Sequence, residues 1–325
     1  MSRPKSPVSG PPPVPLADAD YVVTPGPRRP LDRALRELRP GSSWGDVRRA
    51  IETGKVRVDG ELVVDPTTQV VEKSTIAIRV AAPRPPGPGM SHRVSILHAD
   101  PQVVVVSKPA GIATVPFEDE RDTLDRVVQS LLRKTARPGT SVAPVGVVQR
   151  LDKDTSGIIV FARTTAAKRH LQQQFRDHTV HRRYVALAHG NVQSRIMRSR
   201  LVTDRGDGLR GSTSNPRLGR EAVTHVKVME QLESAALIEC ALETGRTHQI
   251  RIHLAESGHP ILGERVYVRD YSAPLVPAPR LMLHARELGF VHPGTGRDVD
   301  FSEPPPEDFQ SVLERLRALR AAPRR

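Results

Sequence analysis

Arg150 and Asp152 stand two residues apart in the polar string Gln149-Arg150-Leu151-Asp152-Lys153-Asp154-Thr155-Ser156-Gly157. In an extended segment positions two apart face the same side, so a cation and a carboxylate can share one surface. Thr155, Ser156 and Gly157 shape the turn behind them. A carboxylate held in this way can act as a nucleophile or stabilise a developing positive charge. Taken alone, Arg-x-Asp in a polar loop also reads as a structural ion pair, with Ser and Thr oxygens satisfying the turn. Two further strings hold groups able to do chemistry. Tyr184, one of four tyrosines, lies in His181-Arg182-Arg183-Tyr184-Val185-Ala186-Leu187. Arg246 and His248 lie in Glu243-Thr244-Gly245-Arg246-Thr247-His248-Gln249-Ile250-Arg251. His248 and His253 are five apart rather than four, and Cys240 is the only cysteine, so the sequence offers no metal-ligand pattern and no intrachain disulfide.

These groups need elements to hold them. Val147-Val148 enters the polar string and Ile158-Ile159-Val160-Phe161-Ala162 leaves it, which predicts strand, tight loop, strand. Loops fixed between buried elements are where catalytic groups concentrate. Upstream, Val103-Val104-Val105-Val106 marks a buried strand that Lys108-Pro109-Ala110-Gly111 ends in a turn. Apolar spacing predicts helices over 122–132 and 165–178, the second with Lys168, Arg169 and Arg176 on its solvated face. Residues 181–190 form a strand with a basic entrance, 191–220 a polar surface loop or hairpin, and 222–228 and 236–242 two further strands. A helix follows Thr247, which can cap it, with Ile250 and Leu254 on one face. Residues 281–285 and 290–293 supply the terminal strands.

The first 30 residues are rich in Pro, Ser and Gly without periodicity, a disordered leader. Residues 31–80 change character. Leu31, Leu35 and Leu38 predict one short helix, and Val47, Ala50 and Ile51 a second capped by Ser43. A hairpin then turns at Asp59-Gly60 and a third strand closes the small α+β domain. Arg48, Arg49, Lys55 and Arg57 fall close together in this arrangement, and are either an RNA-binding patch or merely solvated. Residues 81–91, dense in Pro and Gly, make a linker, leaving 92–325 as the large domain. The chain has 325 residues and a net charge of +13, a balance that favours polyanions through phosphate contacts and counterion release. No run approaches the roughly 20 apolar residues a membrane helix needs. A cytoplasmic protein without a membrane partner is expected.

Arg150-Leu151-Asp152-x-x-Thr155-Ser156-Gly157 before an apolar strand resembles the catalytic loop of the RluA-type pseudouridine synthases, which isomerise uridine in RNA to its C-glycoside. Lys108-Pro109-x-Gly111, Tyr184-x-Ala186-Leu187, Thr244-Gly245-Arg246-Thr247-His248-Gln249-Ile250-Arg251 and Gly258-x-Pro260-Ile261-x-Gly263 recur in the same order, from about Ser95 to Pro304. Gln149 stands where the family usually has His, and Glu264 where Asp is usual. The order helix, helix, Gly54-Lys55-Val56-x-Val58-Asp59-Gly60 is similar to a small RNA-binding module of ribosomal proteins, with Ser43-Trp44-Gly45 in place of the common Ser-Arg. The resemblance implies an α+β fold: a mixed, largely antiparallel central sheet with flanking helices and a cleft, plus the small N-terminal α+β RNA-binding domain. It implies Asp152 as the essential carboxylate, Arg246 as its ion-pair partner, Tyr184 stacking on the target base, and Arg150 filling the space the base vacates. It implies no cofactor or metal. The RNA is expected to be ribosomal, of the large subunit, rather than tRNA, and the protein a monomer. A non-catalytic RNA-binding or ribosome-assembly protein on the same scaffold is the alternative.

Overall fold

A computed structural model describes residues 16–82, 94–116, 122–137 and 141–321. The leader up to residue 15 and residues 83–91 of the expected linker lie outside them. The chain divides into two compact units, residues 1–88 and 89–325.

The first unit runs β1 (Ala19–Val22), β2 (Arg29–Pro30), α1 (Leu31–Leu38), α2 (Trp44–Glu52), β3 (Val56–Val58), β4 (Glu61–Val63), β5 (Gln69–Val70) and β6 (Thr75–Ile78). Leu31, Leu35, Val47, Ile51, Val56, Ile76 and Ile78 are all sealed from solvent in one core. Ser43 caps α2 as its composition requires, its Oγ accepting the Asp46 amide at 3.0 Å. The β3–β4 hairpin turns on Asp59 and Gly60, both at positive φ (51° and 84°), the geometry that selects Asp-Gly. The sheet order is β1-β6-β3-β4. This corrects the expected leader of residues 1–30: Ala19–Val22 pairs antiparallel with Thr75–Ile78, and Arg29–Pro30 with Gln69–Val70. Strands this short give almost no period to read; β6 supplies the hydrogen-bond partners of β1, and β5 those of β2.

The second unit runs β7 (Ser95–Ala99), β8 (Val103–Lys108), α3 (Leu124–Thr135), β9 (Gly146–Val147), β10 (Ser156–Ala162), α4 (Thr165–Arg176), β11 (His181–His189), β12 (Arg195–Val202), β13 (Gly211–Thr213), β14 (Arg220–Gln231), β15 (Ala235–Leu242), α5 (Gln249–Glu256), β16 (Leu283–Val291), β17 (Asp298–Ser302) and α6 (Glu307–Ala321). Its sheet has the order β13-β12-β14-β15-β11-β16-β10-β8-β7, with β17 on β16 and β9 on β10. Every pairing is antiparallel except β10 with β16, whose register sets Ser156 opposite His284 and Gly157 opposite Ala285. A large apolar cluster on one face includes Val104, Val106, Ile159, Phe161 and Leu187, and a second on the other includes Val103, Val105, Ile158 and Val160. Both faces of β8 and β10 are therefore buried, which is why their sequences read as continuous apolar runs. The region expected as a loop or hairpin, 191–220, contains the full-length strand β12 and the short β13. α6 also escaped the sequence reading, although Phe309, Val312 and Leu316 bury one face of it.

Candidate active site

The strand-loop-strand around Asp152 forms as the sequence predicts, and the loop is tied from two sides. Thr114 Oγ1 donates to the Leu151 carbonyl at 2.8 Å and accepts the Leu151 amide at 3.1 Å. Lys108, at the end of β8 and with no exposed surface, aims its ammonium at the carbonyls of Pro109 (3.0 Å), Lys153 (2.9 Å) and Thr155 (2.7 Å). Three acceptors use all three ammonium protons. Burial nevertheless pushes the Lys108 pKa down to about 7, with Asp154 and Asp152 pulling against it. At the exit, Gly157 has a φ of +117°, and a Cβ there would lie 2.2 Å from the Ala285 carbonyl oxygen, so only glycine lets the loop enter the sheet beside β16.

Asp152 so held lines a cleft of about 540 Å³ together with Arg150, Tyr184, Arg246, His248 and Arg251. It is the one carboxylate among the lining residues, against five arginines: Arg150, Arg176, Arg182, Arg246 and Arg251. Its side chain keeps 22% of its surface. Tyr184 on β11 is buried, and burial raises its phenol pKa, with the charge of Asp152 adding to the effect.

The cation facing Asp152 is not the one expected. Arg251 Nη1 lies 3.5 Å from Asp152 Oδ2. Arg246 donates its Nε to the Glu221 carbonyl at 2.9 Å instead. The reason lies in the turn before α5. His248, not Thr247, is the N-cap residue, with φ 58° and no side-chain capping bond. The turn is closed by buried Gln249, whose Oε1 accepts from the Arg246 amide at 3.0 Å and Thr244 Oγ1 at 2.8 Å. Arg246 therefore precedes the helix and points across to β14, while Arg251 occupies its first turn.

Arg251 is itself fixed by Glu264, which the sequence marks only as standing where the family usually has Asp. Glu264, with no exposed side-chain surface, grips it through Nε at 2.7 Å and Nη2 at 2.8 Å. Glu264 Oε1 also accepts the Arg265 and Val266 amides at 3.0 and 2.8 Å. Burial alone would raise the Glu264 pKa, but the hydrogen bonds and charge of Arg251 outweigh it and hold it below the usual range. The Tyr267 ring stacks beneath the Arg251 guanidinium, 5.3 Å from its Cζ, and Tyr267 Oη lies 2.7 Å from His248 Nδ1. His248 Nε2 reaches to 3.9 Å from Asp152 Oδ1, and burial pushes the His248 pKa down to about 4. The signal for this pair was an isolated acid after the apolar Ile261-Leu262: a buried carboxylate needs a cation.

His98, Asp100 and His292 also come together, on β7 and at the end of β16. His292 Nδ1 accepts the Gly294 and Thr295 amides at 3.2 and 3.1 Å, which leaves Nε2 protonated to donate to Asp100 Oδ2 at 2.8 Å. A protonated nitrogen offers no lone pair, so the trio is a hydrogen-bond knot rather than a ligand set.

In the small unit the four basic candidates divide. Arg48 turns inward, its Nε 2.9 Å from Asp32 Oδ2 and its guanidinium over the Trp44 ring. Lys55 Nζ donates to the Ala82 carbonyl. Arg49 and Arg57 remain exposed, Arg49 within 3.7 Å of Asp46 and Arg57 donating to the Gly60 carbonyl at 2.8 Å.

One carboxylate in an arginine-lined cleft, on a mixed sheet, defines a site built for a polyanionic substrate, and the comparisons give its class. Residues 102–256 match the family described as RNA pseudouridylate synthase, and residues 29–76 match the S4 domain. Ribosomal large subunit pseudouridine synthase D of Zymomonas mobilis is 35% identical over 302 residues, covering 88% of this chain and 93% of that protein. The protein of the same name from Xylella fastidiosa is 35% identical, covering 89% of each. Among solved structures, Human RNA Pseudouridylate Synthase Domain Containing 4 aligns with a TM-score of 0.57 and 26% identity, over 69% of this chain and 93% of that one. The class is that of RNA-modifying isomerases. The chain belongs to the RNA pseudouridylate synthase family and carries an S4 domain at its N-terminal end.

Proposed function

We propose that this protein converts uridine to pseudouridine in large-subunit ribosomal RNA, with Asp152 as the catalytic carboxylate. The observation that carries the proposal is that Asp152 is the sole acid lining the cleft, fixed by Lys108 and Thr114 from behind and faced by Arg251 at 3.5 Å. The reaction breaks the bond from ribose C1′ to N1 of uracil, turns the base, and joins C1′ to C5; the C5 proton leaves and N1 gains one. Nothing is added or lost overall, so no redox partner enters the balance. Asp152 meets the positive charge that develops at C1′, as nucleophile or as counter-charge, and Arg251 orients it. Tyr184, which lines the cleft, packs against the base. Arg150, exposed at the rim, fills the stack the uridine leaves, at a cost of roughly a few kcal/mol for unstacking. Exposed Arg49 and Arg57 of the small unit add sequence-independent phosphate contacts. The names of the relatives support the ribosomal target. No helix among the described residues is long and apolar enough to cross a membrane. A monomer acting in the cytoplasm completes the proposal. The test is pseudouridine mapping in ribosomal RNA from cells lacking the protein, restored by wild type and not by Asp152→Asn.

A further inference from the structure

Four of the five cleft arginines have no carboxylate in ion-pair range among the described residues. Arg251 alone is neutralised, by Glu264 and Asp152. Two of the four adjoin each other on the floor. Arg182 on β11 is 8% exposed and donates Nη2 to the carbonyls of Leu242 (3.5 Å) and Glu243 (3.1 Å). Its Nε is sealed from solvent without a partner. Its Nη1 packs against the backbone of Gly245, where a Cβ would come within 2.6 Å. The next residue is Arg246, held only through Nε by the Glu221 carbonyl. The Phe175 ring also faces the Arg182 guanidinium at 5.6 Å, but neither a ring nor a backbone carbonyl carries net charge, so two neighbouring cations lack a counter-anion, one of them almost fully desolvated. Burying a cation in this way is costly unless an anion arrives. A neutral uracil carbonyl would not compensate them, whereas a phosphodiester oxygen bound by the outer nitrogens of Arg246, beside the Arg182 charge, would.

We propose that Arg182 and Arg246 form a phosphate seat that binds a phosphodiester adjoining the target uridine and sets the depth at which its ribose meets Asp152. This seat rests on the isomerase reading above. Gly245 belongs to it because any side chain there displaces Arg182 Nη1. Its φ is not positive, so alanine at this position strains no backbone.

The probe is a synthetic RNA stem-loop containing the uridine mapped in deletion cells, made with a neutral methylphosphonate at the linkage on its 5′ or its 3′ side. With wild-type protein one of the two replacements weakens binding by about 10- to 100-fold, the value of one charge-assisted contact. Arg246→Gln and Gly245→Ala weaken binding of the unmodified RNA, and in both the methylphosphonate adds less than about 2-fold, because the contact is already lost. Gly245→Ala keeps both charges and retains the Arg182 side chain for folding while shifting its Nη1 end. Penalties that multiply in both variants, or neither linkage mattering to wild type, overturn the seat while pseudouridine still forms. Absence of pseudouridine in the unmodified RNA overturns the isomerase reading, and the seat with it.

Discussion

Glu264→Gln removes one charge and changes little in volume. Glu264 has no exposed side-chain surface and spends its carboxylate on Arg251 and on the Arg265 and Val266 amides. A carboxamide has one acceptor oxygen where the carboxylate has two, so an NH2 group must face either the guanidinium or the amides. The variant thereby leaves Arg251 largely uncompensated in a buried site, and removing one partner of a buried pair costs roughly 3–5 kcal/mol. At about 2–4 °C per kcal/mol for a unit of this size, the melting temperature falls by roughly 6–20 °C. The released guanidinium has one acid left to move toward, Asp152, now 3.5 Å away. Closing that gap by about 1 Å takes the carboxylate out of line with C1′, and a misplacement of that size can lower the rate by about 100-fold. The assay follows tritium released to water from C5 of labelled uridine, alongside calorimetric unfolding. The expected pattern is a large fall in kcat with a small change in KM. Glu264→Asp, which keeps the charge, recovers most of the melting temperature and part of kcat. A glutamine variant with wild-type melting and wild-type kcat refutes the reasoning.

Three other outcomes follow from where charged groups sit. Lys108, with a pKa near 7 in the fold against 10.5 unfolded, leaves the unfolded chain holding one more proton between those values, so stability rises with pH across that window. The rise is roughly 4–5 kcal/mol at most. Lys108→Met abolishes it and strands three carbonyls, so denaturant titrations from pH 6 to 10 should show wild type gaining on the variant as pH increases. A constant difference between the two would contradict the burial argument. Arg48→Met should lower stability, because Asp32, 7% exposed, loses its partner, and should leave RNA affinity within about 2-fold. Exposed Arg57→Gln should do the reverse, weakening RNA binding by roughly one counterion's worth of salt dependence. Filter binding at several salt concentrations separates the two.

Much of the site was legible because its residues are local in sequence. The Asp152 loop announces itself by the contrast between a polar knot and the apolar runs beside it. Ser43 as a cap and Asp59-Gly60 as a turn follow from chemistry that acts within four residues. What was not legible depends on where a helix begins and on contacts between distant segments. Arg246 and Arg251 differ by five positions, and choosing between them required knowing that Gln249 reaches Val223 and Thr224 at 3.0 Å, pulling the turn closed one residue later than a Thr247 cap implies. The parallel pairing of β10 with β16, about 128 residues apart, leaves no mark except Gly157. β1 was hidden because four residues on a sheet edge carry no period. Neither reading of the basic group, RNA-binding or solvated, anticipates that Arg48 turns inward, because the carboxylate that draws it lies 16 residues upstream on α1.

Asp152→Asn is nearly isosteric and keeps the loop bonds made by Thr114 and Lys108, which reach main-chain atoms. In purified protein acting on the mapped ribosomal RNA segment, this variant should form no detectable pseudouridine while binding the RNA within about 3-fold of wild type. Pseudouridine made at the wild-type rate by the asparagine variant would contradict the account at its centre.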